Sequence, residues 1–204
     1  MRYTGSINKK SRRLGFSILE NNKEFSKGKK RTTPPGQHGA RKSRTSSEYK
    51  IQLVEKQKAA LMYGVTDTQF KLTVIRAKKI EGSNTLNLLQ LLESRLDNLV
   101  YRLGFSPTRR GARQLVTHGH IVVNGKKQSI PSMNIKPGAV IEVKDKYKNS
   151  PLAAGVDKAA FVPAPFVETD LDKKVGKYLR LPELNELNPD LKPSLIIEYY
   201  NRLL

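Results

Sequence analysis

Thr117, His118 and His120 lie within four residues of one another in the stretch PTRRGARQLVTHGHIVVNGKKQ, with Arg109, Arg110 and Arg113 upstream and Asn124-Gly125 downstream. A hydroxyl, two imidazoles and three guanidiniums admit a metal site, a nucleophilic centre or a surface that grips phosphate. Zinc needs three or four converging ligands. The two histidines are two apart across a glycine rather than one helical turn apart, and no carboxylate or thiol lies within twenty residues of either. The chain has no cysteine, which removes thiol catalysis, disulfides and cysteine-held zinc. A catalytic triad needs a base oriented by a buried carboxylate, and the third histidine, His38, belongs to a distant basic segment.

Phosphate binding asks only for cations on one face. At roughly 100° per residue, a helix through this stretch gathers Ala112, Leu115 and Val116 on one arc and Arg109, Arg110, Arg113, Gln114, Thr117 and His118 on the other. Three guanidiniums in five residues repel one another, and bidentate phosphate contacts offset that repulsion. A merely solvated basic face is the alternative. Arg95 and Arg102 before the helix, and His120, Lys126 and Lys127 after it, extend the surface. Tyr101 and Phe105 read as core, so the expected recognition is of backbone and shape rather than of stacked bases. Asp97, in SRLDNL, invites comparison with the Arg-Leu-Asp motif of pseudouridine synthases. The plainer reading is a first-turn carboxylate favoured by the helix dipole, with Ser94 as the cap.

These side chains need elements to hold them. Ser46 or Ser47 caps a helix to about Tyr63, stopped by Gly64, and Thr66 with Gln69 signals a capping box for a second helix to about Ile80. Asn84–Leu92 is leucine-rich and helical. Arg95–Leu103 carries apolar residues at Leu96, Leu99, Val100 and Leu103, and Gly104 stops it. Pro107 starts the arginine helix, capped by Ser106 or Thr108 and ended by Gly119. Ile121–Val123 and Lys126–Ile130 flank Asn124-Gly125 as a hairpin, and Ala139–Val143 is a further strand. Residues 150–193 hold six of the eleven prolines and read as largely irregular, before a closing apolar-faced helix over Ser194–Leu203.

The formal charge is +20, with a pI of about 10.2, so the field attracts polyanions. Residues 1–45 carry a net +11 and residues 91–150 a net +7, whereas residues 151–204 carry −1. Two separate stretches therefore face the polyanion and the C-terminal quarter does not. The first 45 residues are too poor in large apolar groups to fold alone and read as extended. Pro34-Pro35-Gly36 nonetheless turns the chain, and glycines bracket Gln37 and His38. No apolar run approaches membrane-spanning length, and no apolar leader segment opens the chain. A soluble cytoplasmic protein without metal or cofactor is expected.

Two segments carry a resemblance. LESRLDNLVYRLGFSPTRRGARQLVTHGHIVVNGK (Leu92–Lys126) resembles the small RNA-binding module named after the fourth protein of the small ribosomal subunit. That module also occurs in pseudouridine synthases, tyrosyl-tRNA synthetases and heat-shock RNA binders. PPGQHGARKSRTSSEYKIQLVEKQKAALMYGV (Pro34–Val65) and LIIEYYNR (Leu195–Arg202) resemble that ribosomal protein family itself, bacterial or organellar type.

The resemblance implies an α+β fold: a mainly helical domain with the module inserted into it, two helices plus a short twisted antiparallel sheet, and an extended basic N-terminal arm. Its boundaries are the arm at 1–45, the helical domain at 46–90 completed by 180–204, the module at 91–150 and an irregular proline-rich connection at 151–179. It implies a non-enzymatic, primary binder of small-subunit ribosomal RNA that nucleates subunit assembly, lies near the mRNA entrance, meets the fifth small-subunit protein and influences accuracy. Matched residue by residue, it puts Gln37, His38, Arg41 and Arg44 of the arm at RNA. Tyr49, Gln52, Lys56 and Lys58 follow from the next motif, and Arg95, Thr108, Arg113, Gln114, His118, Asn124 and Lys126 from the module. By charge and position, Arg12, Arg13, Lys29, Lys30, Arg31, Lys42, Arg102, Arg109, Arg110, His120 and Lys127 join them. Leu195, Ile196, Glu198, Tyr199, Tyr200 and Arg202 are the implied protein interface. Some relatives hold zinc through arm cysteines that this chain lacks, and the stretch NELNPDLKPS adds prolines where many relatives are shorter. A pseudouridine synthase using Asp97 and a free-standing RNA chaperone remain the alternatives.

Overall fold

The computed structural model describes residues 3–20, 25, 32–39, 47–148, 150 and 161–203. Among them are seven helices, α1 (Ile7–Leu14), α2 (Glu48–Met62), α3 (Asp67–Lys78), α4 (Asn84–Glu93), α5 (Leu96–Arg102), α6 (Arg109–Thr117) and α7 (Pro193–Asn201). Five strands, β1 (Ile121–Val123), β2 (Lys126–Gln128), β3 (Val140–Val143), β4 (Val167–Asp170) and β5 (Val175–Tyr178), form one antiparallel sheet in the order β2-β1-β3-β5-β4. The class is α+β. Two compact units result, Met1–Thr85 with Asn188–Leu204, and Leu86–Leu187.

In the first unit, Ser47 caps α2 by accepting from the Lys50 N–H, and Tyr63 and Gly64 end it. Thr66 occupies the cap position of α3, but its side chain makes no capping bond, so the expected capping box is absent. Helix α7 lies along α2 and buries Ile196, Ile197, Tyr199 and Tyr200, with the Tyr200 ring 6.2 Å from that of Phe70. The expectation of an extended arm needs correction over residues 7–14. They form α1, which buries Ile7 and Ser11 and ends at Gly15, whose N–H donates to the Ser11 carbonyl. Phe16 and Ile18, beyond that stop, are buried too. Ile7, Ser11 and the half-buried Leu14 form an i, i+4, i+7 stripe on α1, and Phe16 and Ile18 extend that anchor past the helix end.

The second unit has its core under α5, α6 and the sheet, with Leu96, Leu99, Leu103, Phe105, Leu115, Ile121, Ile141, Phe166 and Tyr178 all fully buried. Thr108, rather than Ser106, caps α6 by accepting from the Gly111 N–H. Asn124 and Gly125 both take positive φ (48° and 75°), the geometry of a tight hairpin turn. The expected irregularity of 150–193, and of the 151–179 connection, also needs correction: β4 and β5 complete the sheet. Gly176 permits this, because a Cβ there would overlap Leu103 Cδ2 and lie 2.9 Å from the Glu168 carbonyl oxygen. Thr169 Oγ1 donates to the Leu103 carbonyl at 2.9 Å. The proline-bearing stretch is ordered as well. A 3-10 turn (Leu184–Glu186) carries a Glu183–Glu186 capping box. Beyond it the Lys192 N–H donates to Glu55 Oε2 at 3.2 Å.

Candidate nucleic-acid interface

Arg95, Arg102 and Arg113, from three places in the second unit, meet two buried carboxylates. Arg95 donates to Asp97 through Nε (3.1 Å) and Nη2 (3.0 Å), and Arg113, from α6, donates to the same carboxylate through Nη1 at 2.8 Å. Arg102 is bidentate on Glu93, at 3.0 and 2.8 Å. Asn98 joins α6 to the Glu93 group: its Nδ2 donates to Glu93 Oε2 at 2.6 Å and its Oδ1 accepts from Arg109 Nε at 2.8 Å. The Arg109 guanidinium lies 4.4 Å from the Tyr101 ring centroid, a cation–π distance. Glu93 is wholly buried and Asp97 nearly so. Buried carboxylates are tolerated only when paired in this way.

Asp97 is therefore a buried clamp on two guanidiniums, and the expected Ser94 cap is replaced. Arg95 takes the cap position without a side-chain capping bond, and the Ser94 hydroxyl donates back to the Gln90 carbonyl at 2.7 Å. Leu96 and Asp97 N–H groups donate to the Met133 and Pro131 carbonyls, tying the start of α5 to the loop after the hairpin. Glu93, Asp97 and Asn98 are the residues that sequence reasoning missed as parts of the site. Their signal was present: polar residues at the buried positions of apolar helices.

Above this floor, Arg110, Gln114, Thr117 and His118 are exposed on α6, and Arg113 keeps 30% of its side chain exposed. Gly119 turns the chain (φ 69°), and the Lys127 stem passes so close that a Cβ on Gly119 would overlap it. The hairpin lysine is thereby laid across the end of the arginine helix. His120 stacks on Tyr147 at 3.6 Å and stands 5.7 Å from His118. Burial first, then His118, Lys144 and Lys127, hold its pKa below the ordinary histidine value. No group of metal ligands occurs among the described residues. Lys126 is exposed, whereas Asn124 Oδ1 accepts from the Val140 N–H and acts in the turn.

The first unit treats its predicted residues differently. Tyr49 is 48% exposed, but Gln52 and Lys56 are buried. Gln52 donates to Glu198 at 3.2 Å, Lys56 pairs with Asp67, and Lys58 pairs with Glu55 at 2.6 Å. Gln52 and Lys56 tie α2 to α7 and α3 and are corrected from RNA-facing to internal, whereas Lys58 is half-buried and its pair lies within α2. Arg13, Gln37 and His38 are exposed, and Arg12 borders a groove with Lys9 and Thr33–Gln37. Lys29, Lys30, Arg31, Arg41, Lys42 and Arg44 lie outside the described residues. Of the implied protein interface, Ile196, Tyr199 and Tyr200 are core, so only Leu195, Glu198 and Arg202 face outward, beside a groove of about 400 Å³ shared with Glu48 and Ile51.

Two family models match the chain in sequence order. A family model described as Ribosomal protein S4/S9 N-terminal domain matches residues 2–93, and one described as S4 domain matches residues 94–141. The chain is 56% identical over its whole length to the small ribosomal subunit protein uS4 of Ureaplasma urealyticum serovar 10, of which it covers 99%. Proteins of that name from Mesoplasma florum and Mycoplasma pneumoniae are 55% and 51% identical, again over all of this chain and 99% of theirs.

Proposed function

The chain belongs to the family of small ribosomal subunit proteins uS4, and from that premise we propose that the outward face of α6, the β1–β2 hairpin and the basic N-terminal segment grip the backbone of small-subunit ribosomal RNA. It is a structural protein of translation, working in the small subunit of cytoplasmic ribosomes, and not an enzyme. One observation carries the site: three arginines, Arg95, Arg102 and Arg113, held on two buried carboxylates, a fourth, Arg109, held by Asn98, and the exposed residues of α6 beside them. As a primary binder of that RNA the protein nucleates subunit assembly, lies near the mRNA entrance and influences accuracy. Leu195, Glu198 and Arg202 meet the fifth small-subunit protein.

The test is binding to small-subunit ribosomal RNA across a salt series. If the two basic stretches neutralise about six to ten phosphates, affinity falls roughly 10³–10⁵-fold between about 50 and 200 mM salt. Arg113→Gln weakens binding more than Lys173→Gln, since Lys173 sits 79% exposed beside Asp170 in the near-neutral C-terminal quarter. A flat salt response, or equal effects of the two variants, overturns the assignment.

A further inference from the structure

Resting on the RNA-binding reading above, we infer that Asp97 is a positioning residue for RNA: a buried negative charge that a polyanion ligand needs, because it aims Arg113 at the phosphate backbone. Arg113 reaches the carboxylate with one nitrogen only, Nη1 on Oδ2 at 2.8 Å. The same oxygen accepts from Arg95 Nη2 at 3.0 Å. The two bonds to Arg95 fix that guanidinium's plane, and the single bond to the shared oxygen tethers Arg113 at one end, so its fork meets phosphate from a restricted set of orientations. An arginine anchored at one nitrogen loses less side-chain entropy on binding than a free one. Asp97 is 4% exposed and stands in the first turn of α5, so it is out of reach of RNA itself and acts through its partners.

Removing a carboxylate adds one net positive charge, which by charge alone strengthens polyanion binding and steepens its salt dependence. Positioning forecasts the reverse. In the full chain, Asp97→Asn keeps the side-chain shape and removes the charge. Its affinity for small-subunit ribosomal RNA falls on the order of tenfold, the scale of losing one charge-assisted hydrogen bond to phosphate. The slope of log affinity against log salt becomes shallower by about 0.7–0.9 for each phosphate that is no longer neutralised. In an Arg113→Gln background, Asp97→Asn has little further effect. Tighter or unchanged binding by Asp97→Asn overturns the inference. So does weaker binding with an unaltered slope, which marks a fold defect alone. Should Asp97→Asn not fold, Asp97→Glu, which keeps the charge and moves it by one methylene, takes the same measurements. Weaker binding with a shallower slope supports positioning there, and undiminished binding overturns it. If the wild-type chain shows no salt-dependent binding, the RNA-binding reading fails first, and the result is distinct from a variant that binds as well as wild type.

Discussion

Single side chains divide the basic residues into those that hold the protein and those that face outward. Arg95 and Arg113 on Asp97, Arg102 on Glu93 and Lys56 with Asp67 are all cations by sequence, but their carboxylates decide which groups remain at the surface. The helical wheel placed Arg113, Gln114 and His118 on the polar face of α6 correctly. It could not show that Asp97, sixteen residues away, would claim one nitrogen of Arg113. His120 makes a separate point. Burial depresses its pKa in the folded state, whereas the unfolded chain takes up the proton near the ordinary value of about 6.5. Stability contributed by neutral His120 is therefore full above about pH 6.5 and lost as pH falls through the depressed folded value. A series of thermal melts between about pH 7.5 and 5 is expected to show a smaller acid loss for His120→Asn than for wild type.

At the scale of elements, local signals were legible wherever the stabilising partner lies within a few residues. Ser47 and Thr108 cap their helices, Gly64 and Gly119 end them, and Asn124-Gly125 makes the hairpin turn. Strands β4 and β5 form a local hairpin whose turn is closed by Asp170 Oδ1, accepting from the Asp172 and Lys173 N–H groups, but prolines before it and charges within it masked the strand pattern. Their support comes from β3, paired with β5, and from Leu103 packed against Gly176. That packing yields a measurable consequence. Gly176→Ala overpacks the junction of α5 and the sheet and is expected to cost about 1–3 kcal/mol, read as a lowered chemical-denaturation midpoint. Helix α1 was hard to read because its inward stripe, Ile7, Ser11 and Leu14, has a serine in the middle and lies among Lys and Arg, with Phe16 and Ile18 adding their burial beyond the glycine stop.

Across the whole molecule, the chain's last residues close the unit that its first residues begin. Truncation after Leu187 removes α7, including fully buried Ile196 and the Tyr200 ring that faces Phe70. Backbone amides of α2 and α3 are then expected to lose slow hydrogen exchange, read by mass spectrometry. Charge placement, the absence of cysteine, the amphipathic helices, the hairpin and the family motifs were all determined by the sequence alone, because each is a property of residue type and short spacing. Only the tertiary structure decided which cations turn inward, that β5 joins β3, and that α7 buries its tyrosines. Those outcomes depend on a carboxylate, a strand or an apolar face that the fold brings together from distant places in the chain, and local spacing carries no record of such meetings.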